Sequence, residues 1–103
     1  MQTVITRVWH GKTPASKADA YMTYLLEVGV KDYKRIPGNL SVQIWRRTEG
    51  DRVHFYTVTT WDSFESIRKF AGDEISRPVF LPKDRDYLLE FEPDVMHCET
   101  IIP

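Results

Sequence analysis

Trp61-Asp62-Ser63-Phe64-Glu65-Ser66-Ile67-Arg68-Lys69-Phe70-Ala71-Gly72 is the stretch on which the reading of the fold turns. The residues before it, Val53 to Thr60, are mostly β-branched or aromatic and read as a strand. A helix pattern begins immediately after Trp61. Asp62 is placed to cap that helix, and Glu65, three residues on, to reach back as the second half of a capping box. Phe64, Ile67 and Ala71 recur at helical spacing with Phe70 beside them, and Gly72 supplies a left-handed stop. A strand therefore hands over directly to a short amphipathic helix, with a large indole at the junction. Two readings of Trp61 stand: it walls a ligand site at the strand end, or it plugs the end of the core.

The flanking segments give the order of elements. Thr3 to Lys12 alternates, with Val4, Thr6, Val8 and His10 on one face and Ile5, Arg7, Trp9 and Gly11 on the other. Arg7 on such a strand is expected either to snorkel to water from an edge position or to bind an anion. Thr13-Pro14 opens a helix whose stripe is Ala18, Met22, Leu25 and Gly29. Gly29 either admits a neighbouring backbone or splits off a second piece, Val30 to Arg35. Ile36-Pro37-Gly38-Asn39 has proline and glycine where a type II turn needs them. Leu40 to Thr48 then alternates, and Glu49-Gly50-Asp51 connects it as a hairpin to Arg52 to Thr60. After the capped helix, Asp73 to Pro82 is irregular, Lys83 to Leu89 makes one helical turn, and Glu90 to Ile102 is the last strand, with Pro93 placing a bulge or an edge in it.

The resulting order is βαββαβ. That is an α+β, ferredoxin-like arrangement: a four-stranded antiparallel sheet with its helices on one face, in a single domain over residues 1–103. Helices on one face leave the other bare, yet bulky apolar groups occur at both parities: Trp45, Tyr56 and Met96 alternate with Ile44, Phe55 and Val95. The bare face predicts a homodimer closed sheet to sheet around a cavity.

Composition narrows the function classes. With 42% hydrophobic and 13% aromatic residues, the 103-residue chain has enough apolar material for one core. Fourteen basic and fifteen acidic residues give a net charge of -1, which excludes the electrostatic footprint of a nucleic-acid or anionic-membrane binder. RNA-recognition modules share the element order, but Arg52 to Val58 lacks their basic-Gly-aromatic signature. No apolar run approaches the roughly 20 residues of a membrane span. The first residues carry no secretory pattern, and the lone Cys98 excludes an intrachain disulfide, so a cytoplasmic location is expected.

Ile5 to Gly11, Ile36 to Asn39, Arg46-Arg47, Trp61 to Ser63 with Ile67 to Gly72, and Val95-Met96-His97 together resemble the antibiotic biosynthesis monooxygenase-like family of the dimeric α/β-barrel superfamily. The likeness runs over nearly the whole chain in short pieces. It implies a ferredoxin-like protomer, a homodimer, and a pocket per subunit between sheet and helices. It also implies a cofactor-independent monooxygenase acting on a phenol- or quinol-type molecule, with a non-catalytic homodimer that binds a small apolar or aromatic one, or a stress-associated dimeric-barrel protein, as the alternative. The haem-degrading branch carries an Asn on the first strand and a His after the second helix. The corresponding neighbourhoods here, Thr6 to His10 and Pro78 to Phe80, lack both the asparagine and the second-site histidine. That speaks against haem as substrate.

Such a reaction needs a base near neutrality, a donor for the developing oxyanion and a dry aromatic pocket. His97 or His54 is the candidate base, and Arg7 or Arg46 the candidate holder of the phenolate. Trp61, Phe70, Trp9 and Phe80 are the candidate walls. Each histidine has a plain alternative as a hydrogen-bonded structural group. His10, His54 and His97 show no local ligand spacing, so no metal site is expected, and no phosphate loop, nucleophile elbow or dinucleotide fingerprint is present.

Overall fold

A computed structural model describes residues 2–103. The chain runs β1 (Gln2–Pro14), α1 (Ala18–Tyr24), a π-helical turn (Leu25–Gly29), α2 (Val30–Lys34), β2 (Asn39–Glu49), β3 (Arg52–Trp61), α3 (Phe64–Ala71), α4 (Asp84–Tyr87), β4 (Glu90–Phe91) and β5 (Met96–Ile102). The strands form one antiparallel sheet in the order β2-β3-β1, with β4 and β5 both on the far side of β1. This is the ferredoxin-like order. The last strand expected over Glu90 to Ile102 is two pieces, because Pro93 has no N–H for the ladder and the chain leaves the sheet between Phe91 and Met96.

Register decides which residues meet. Ile5 lies opposite Trp61, Trp9 opposite Thr57, and Arg7 between Thr59 and His97. The odd-numbered residues of β1 and β3 therefore share the face that the helices cover. Trp9, Tyr21, Leu25, Val53 and Phe55 form one buried cluster on this face, and Ile5, Trp61 and Ile67 a second. Each large side chain buried this way contributes roughly 1.5–3 kcal/mol. Gly11 is required beside Trp9: a Cβ there would stand 2.6 Å from the indole's Cη2. The missing side chain thus makes the seat in which the Trp9 ring lies.

The local signals resolve as follows. Gly38 has φ 97°, and the Asn39 amide donates to Ile36 O at 3.1 Å, as the type II turn requires. The α3 cap is one residue later than expected: Ser63 Oγ accepts from the Ser66 amide at 3.2 Å. Asp62 instead accepts from the Ser66 hydroxyl at 2.6 Å, and Glu65 pairs with Arg68 at 3.5 Å rather than closing a capping box. Gly29 does not break the helix. Helical backbone continues through the π-helical turn, and Gly29 packs against Leu81.

Among the described residues, no helix covers the opposite face of the sheet. Trp45, Met96 and Ile102 are about half exposed there. Among the described residues, no helix is long and apolar enough to cross a membrane.

Candidate functional site

A cavity of about 100 Å³ lies between the sheet and the helices. Trp9 and Thr57 form its floor, Tyr33 and Gly29 one side, and Phe70 and Phe80 another. The π-helical turn supplies Leu25 and Gly29 to this wall, so the widened backbone borders the void. Phe80 and Asp84 also border a second hollow of about 340 Å³, with Arg85, Leu88 and Phe91. The size of the first cavity suits a molecule of one ring, well below the several hundred Å³ of pockets for drug-sized ligands.

Most of the lining is apolar, and the polar groups on it are few. Asp84 is buried, with Oδ2 accepting from the Leu81 amide at 2.7 Å and Oδ1 from the Tyr21 hydroxyl at 3.1 Å. Burial pushes its carboxyl up from the ordinary range against the lowering effect of those two donors. Burial likewise raises Tyr21 and Tyr33, the latter sharing a 3.3 Å hydrogen bond with Thr57. Tyr33, Tyr21, Thr57 and Asp84 were not among the residues expected from sequence. Tyr21 flanks the apolar stripe of the first helix, and Asp84 sits in a four-residue helix after an irregular segment, so neither stands out before folding.

The expected site residues separate into three groups. Trp9, Phe70 and Phe80 come together on the cavity wall. Trp61, Arg7 and His97 lie behind it. Trp61 is fully buried, donates its Nε1–H to Thr59 Oγ1 at 2.8 Å, and supports Phe70 with ring centres 5.9 Å apart.

Arg7 neither snorkels nor stands free for an anion. It is 2% exposed and donates to Ile75 O at 2.5 Å, Arg77 O at 3.2 Å and His97 Nε2 at 3.1 Å. Its guanidinium also lies 5.9 Å from the centre of the Phe70 ring. Arginine has no acceptor, so His97 Nε2 must accept, which assigns the neutral imidazole with its proton on Nδ1. Burial and the adjacent guanidinium both hold the His97 pKa below its ordinary value.

His54 and Arg46 stand elsewhere. Arg46 pairs with Asp19 at 2.8 Å and lies over Phe55. His54 is on the opposite face of the sheet, in a chain running Glu92, His10, His54, Glu49 with links of 3.1, 2.8 and 3.2 Å. Strand β1 separates β3 from β5, so His54 and His97 do not converge. Among the described residues, no group of three or more His, Cys, Asp or Glu is arranged to hold a metal ion.

Among solved structures, the chain is similar to protein SO0527 from Shewanella oneidensis, with a TM-score of 0.70, 17% identity, and coverage of 100% of this chain and 96% of that one. It is similar to the heme-degrading protein Rv3592 from Mycobacterium tuberculosis, with a TM-score of 0.67, 16% identity, and coverage of 100% and 97%. It is also similar to a candidate antibiotic biosynthesis monooxygenase from Chloroflexus aurantiacus, with a TM-score of 0.56, 18% identity, and coverage of 97% and 93%. No family model matches the chain, and no curated protein does. The likeness establishes the fold alone: a ferredoxin-like α+β arrangement.

Proposed function

We propose that the chain binds a one-ring phenol- or quinol-type molecule in the cavity between sheet and helices and oxidises it with dioxygen as a cofactor-independent monooxygenase. The cavity carries this reading, since its walls are aromatic and its one buried carboxyl, Asp84, is shifted toward neutrality. Two of the similar structures, the haem-degrading protein and the candidate antibiotic biosynthesis monooxygenase, support it.

Asp84 takes the phenolic proton, and the aromatic walls exclude water from the anion that results. Arg7 acts from behind Phe70, adding positive potential without touching the ligand. For a hydroquinone, dioxygen accepts four electrons, all from the substrate. One oxygen atom replaces a ring hydrogen to give a hydroxyquinone, and the other leaves as water. No external reductant enters that balance. His54 and Arg46 lie off the cavity and are left outside the proposed site.

The second reading is a non-catalytic binder using the same cavity. One observation favours it: the His97 lone pair is already engaged by Arg7. An oxygen electrode separates the two. Uptake by metal-free protein across a panel of quinols, reduced about 100-fold in Asp84→Asn, is the result expected of the monooxygenase. Saturable binding without uptake selects the binder. Neither binding nor uptake overturns both.

The homodimer and a cytoplasmic location belong to the same proposal. The exposed Trp45, Met96 and Ile102 on the bare sheet face support the first, and the lone Cys98 thiol supports the second.

A further inference from the structure

The bare face of the sheet carries two histidines that touch each other. His10 on β1 and His54 on β3 meet through Nε2 and Nδ1 at 2.8 Å. Their planes are 9° apart, which suits a bond lying in the plane of both rings. The outer nitrogens are engaged as well. His10 Nδ1 lies 3.1 Å from Glu92 Oε1, and His54 Nε2 lies 3.2 Å from Glu49 Oε1.

These partners fix the number of protons. An ionised carboxylate only accepts, so both outer nitrogens carry hydrogen. The inner contact needs one hydrogen, since two lone pairs or two N–H groups would repel at 2.8 Å. Three protons on four nitrogens make one imidazole and one imidazolium. A neutral pair cannot form this chain: with its two protons on the outer nitrogens, the inner lone pairs would face each other. The surroundings favour the charge. His54 and Arg47 hold the Glu49 carboxyl below its usual range and so ionised. Tyr56 lies flat against His10, with ring centres 4.4 Å and planes 8° apart, and offers its π face to the cation.

The remaining charges at this end of the face cancel. Lys12 on β1 and Arg52 on β3 both reach Glu90 on β4, at 3.6 and 3.2 Å, and Arg47 on β2 reaches Glu49 at 3.3 Å. With Glu92, three carboxylates balance three cations. The histidine pair therefore sets the net charge here, and its proton count decides whether the contact exists. A fourth proton makes both inner nitrogens donors. Loss of the third leaves both as acceptors. Either change parts the rings.

We propose that His10 and His54 share one proton and form a pH-sensitive clasp, tying Glu49 at the end of β2 to Glu92 beyond β4, across β3 and β1. The clasp lies on the face away from the cavity and is independent of any ligand bound there.

The test uses the full chain with ¹⁵N-labelled histidine, titrated from about pH 8 to about pH 5, the range in which histidine changes charge. The imidazole signals are assigned through bonds, so the wild type alone decides the main point. His10 and His54 are expected to titrate together in two steps. Between the steps, both outer nitrogens are expected to be protonated and the inner two to share one hydrogen. The Glu49 and Glu92 amide signals are expected to shift with the acid step. In His10→Gln, His54 is expected to titrate in a single step. If His10 and His54 each titrate in one step in the wild type, without sensing the other, the shared proton is overturned. If the two steps occur while the Glu49 and Glu92 amides stay in place, the clasp is overturned.

Discussion

Asp84 and His97 are two titratable groups whose surroundings disfavour charge, and they affect stability in opposite directions along the pH scale. The Asp84 carboxyl is raised by burial, so the folded chain holds its proton more tightly than the unfolded one does. That contribution is fully present below the unfolded range near pH 4 and is lost as pH rises through the raised value. Relative to Asp84→Asn, the wild type is therefore expected to lose stability over a window that opens at about pH 4 as pH rises, measured by urea unfolding. A constant difference across that window would refute it. His97 has the reverse sign. Its pKa is lowered by burial and then by Arg7, so its contribution is present above about pH 6.5 and is lost as pH falls through the depressed value. Its tautomer gives a sharper check. Nitrogen chemical shifts are expected to show the proton on Nδ1 and a lone pair on Nε2 toward Arg7, and a proton on Nε2 would contradict the contact.

At the scale of elements, the irregular segment Asp73 to Pro82 depends on β1. Arg7 donates to two of its carbonyls, Ile75 O and Arg77 O, and the Val95 amide donates to Ser76 O at 2.7 Å. That segment supplies Phe80, Leu81 and Pro82 to the cavity wall. A guanidinium buried in strand β1 thus shapes the cavity through a loop nearly seventy residues away in sequence. Replacing it with methionine keeps much of the volume and leaves the carbonyls without a donor. Arg7→Met is expected to cost about 1–3 kcal/mol. Amide exchange in residues 73–82 should rise more than in the strands, and unchanged exchange there would show that the loop holds itself.

The whole molecule leaves one sheet face bare. Trp45, Met96 and Ile102 are half exposed on it, and Trp45 and Met96 lie near the stacked rings of His10, His54 and Tyr56. Analytical ultracentrifugation is expected to give a dimer in which these faces meet. Trp45→Glu would place a charge in that contact and shift the protein toward monomer. A wild-type monomer at micromolar concentration would remove the dimer from the proposal.

Local rules carried the sequence reading a long way. Period-two alternation set the strands, the Pro37-Gly38 turn marked where the second begins, the Glu49 to Asp51 hairpin set it antiparallel to the third, and the element order set the fold. These signals are short-range, and neighbouring residues suffice for them. The cap of α3 was missed by one residue because Asp62 and Ser63 are both good caps, and only the packed helix start chooses between them. Of the residues expected from sequence, Trp9, Phe70 and Phe80 line the cavity between sheet and helices. Arg7 with the carbonyls of Ile75 and Arg77, the Tyr21–Asp84 pair, and the His10–His54 contact were decided by tertiary structure alone. Each is a question of whether a buried polar group finds a partner, and that partner comes from a distant part of the chain.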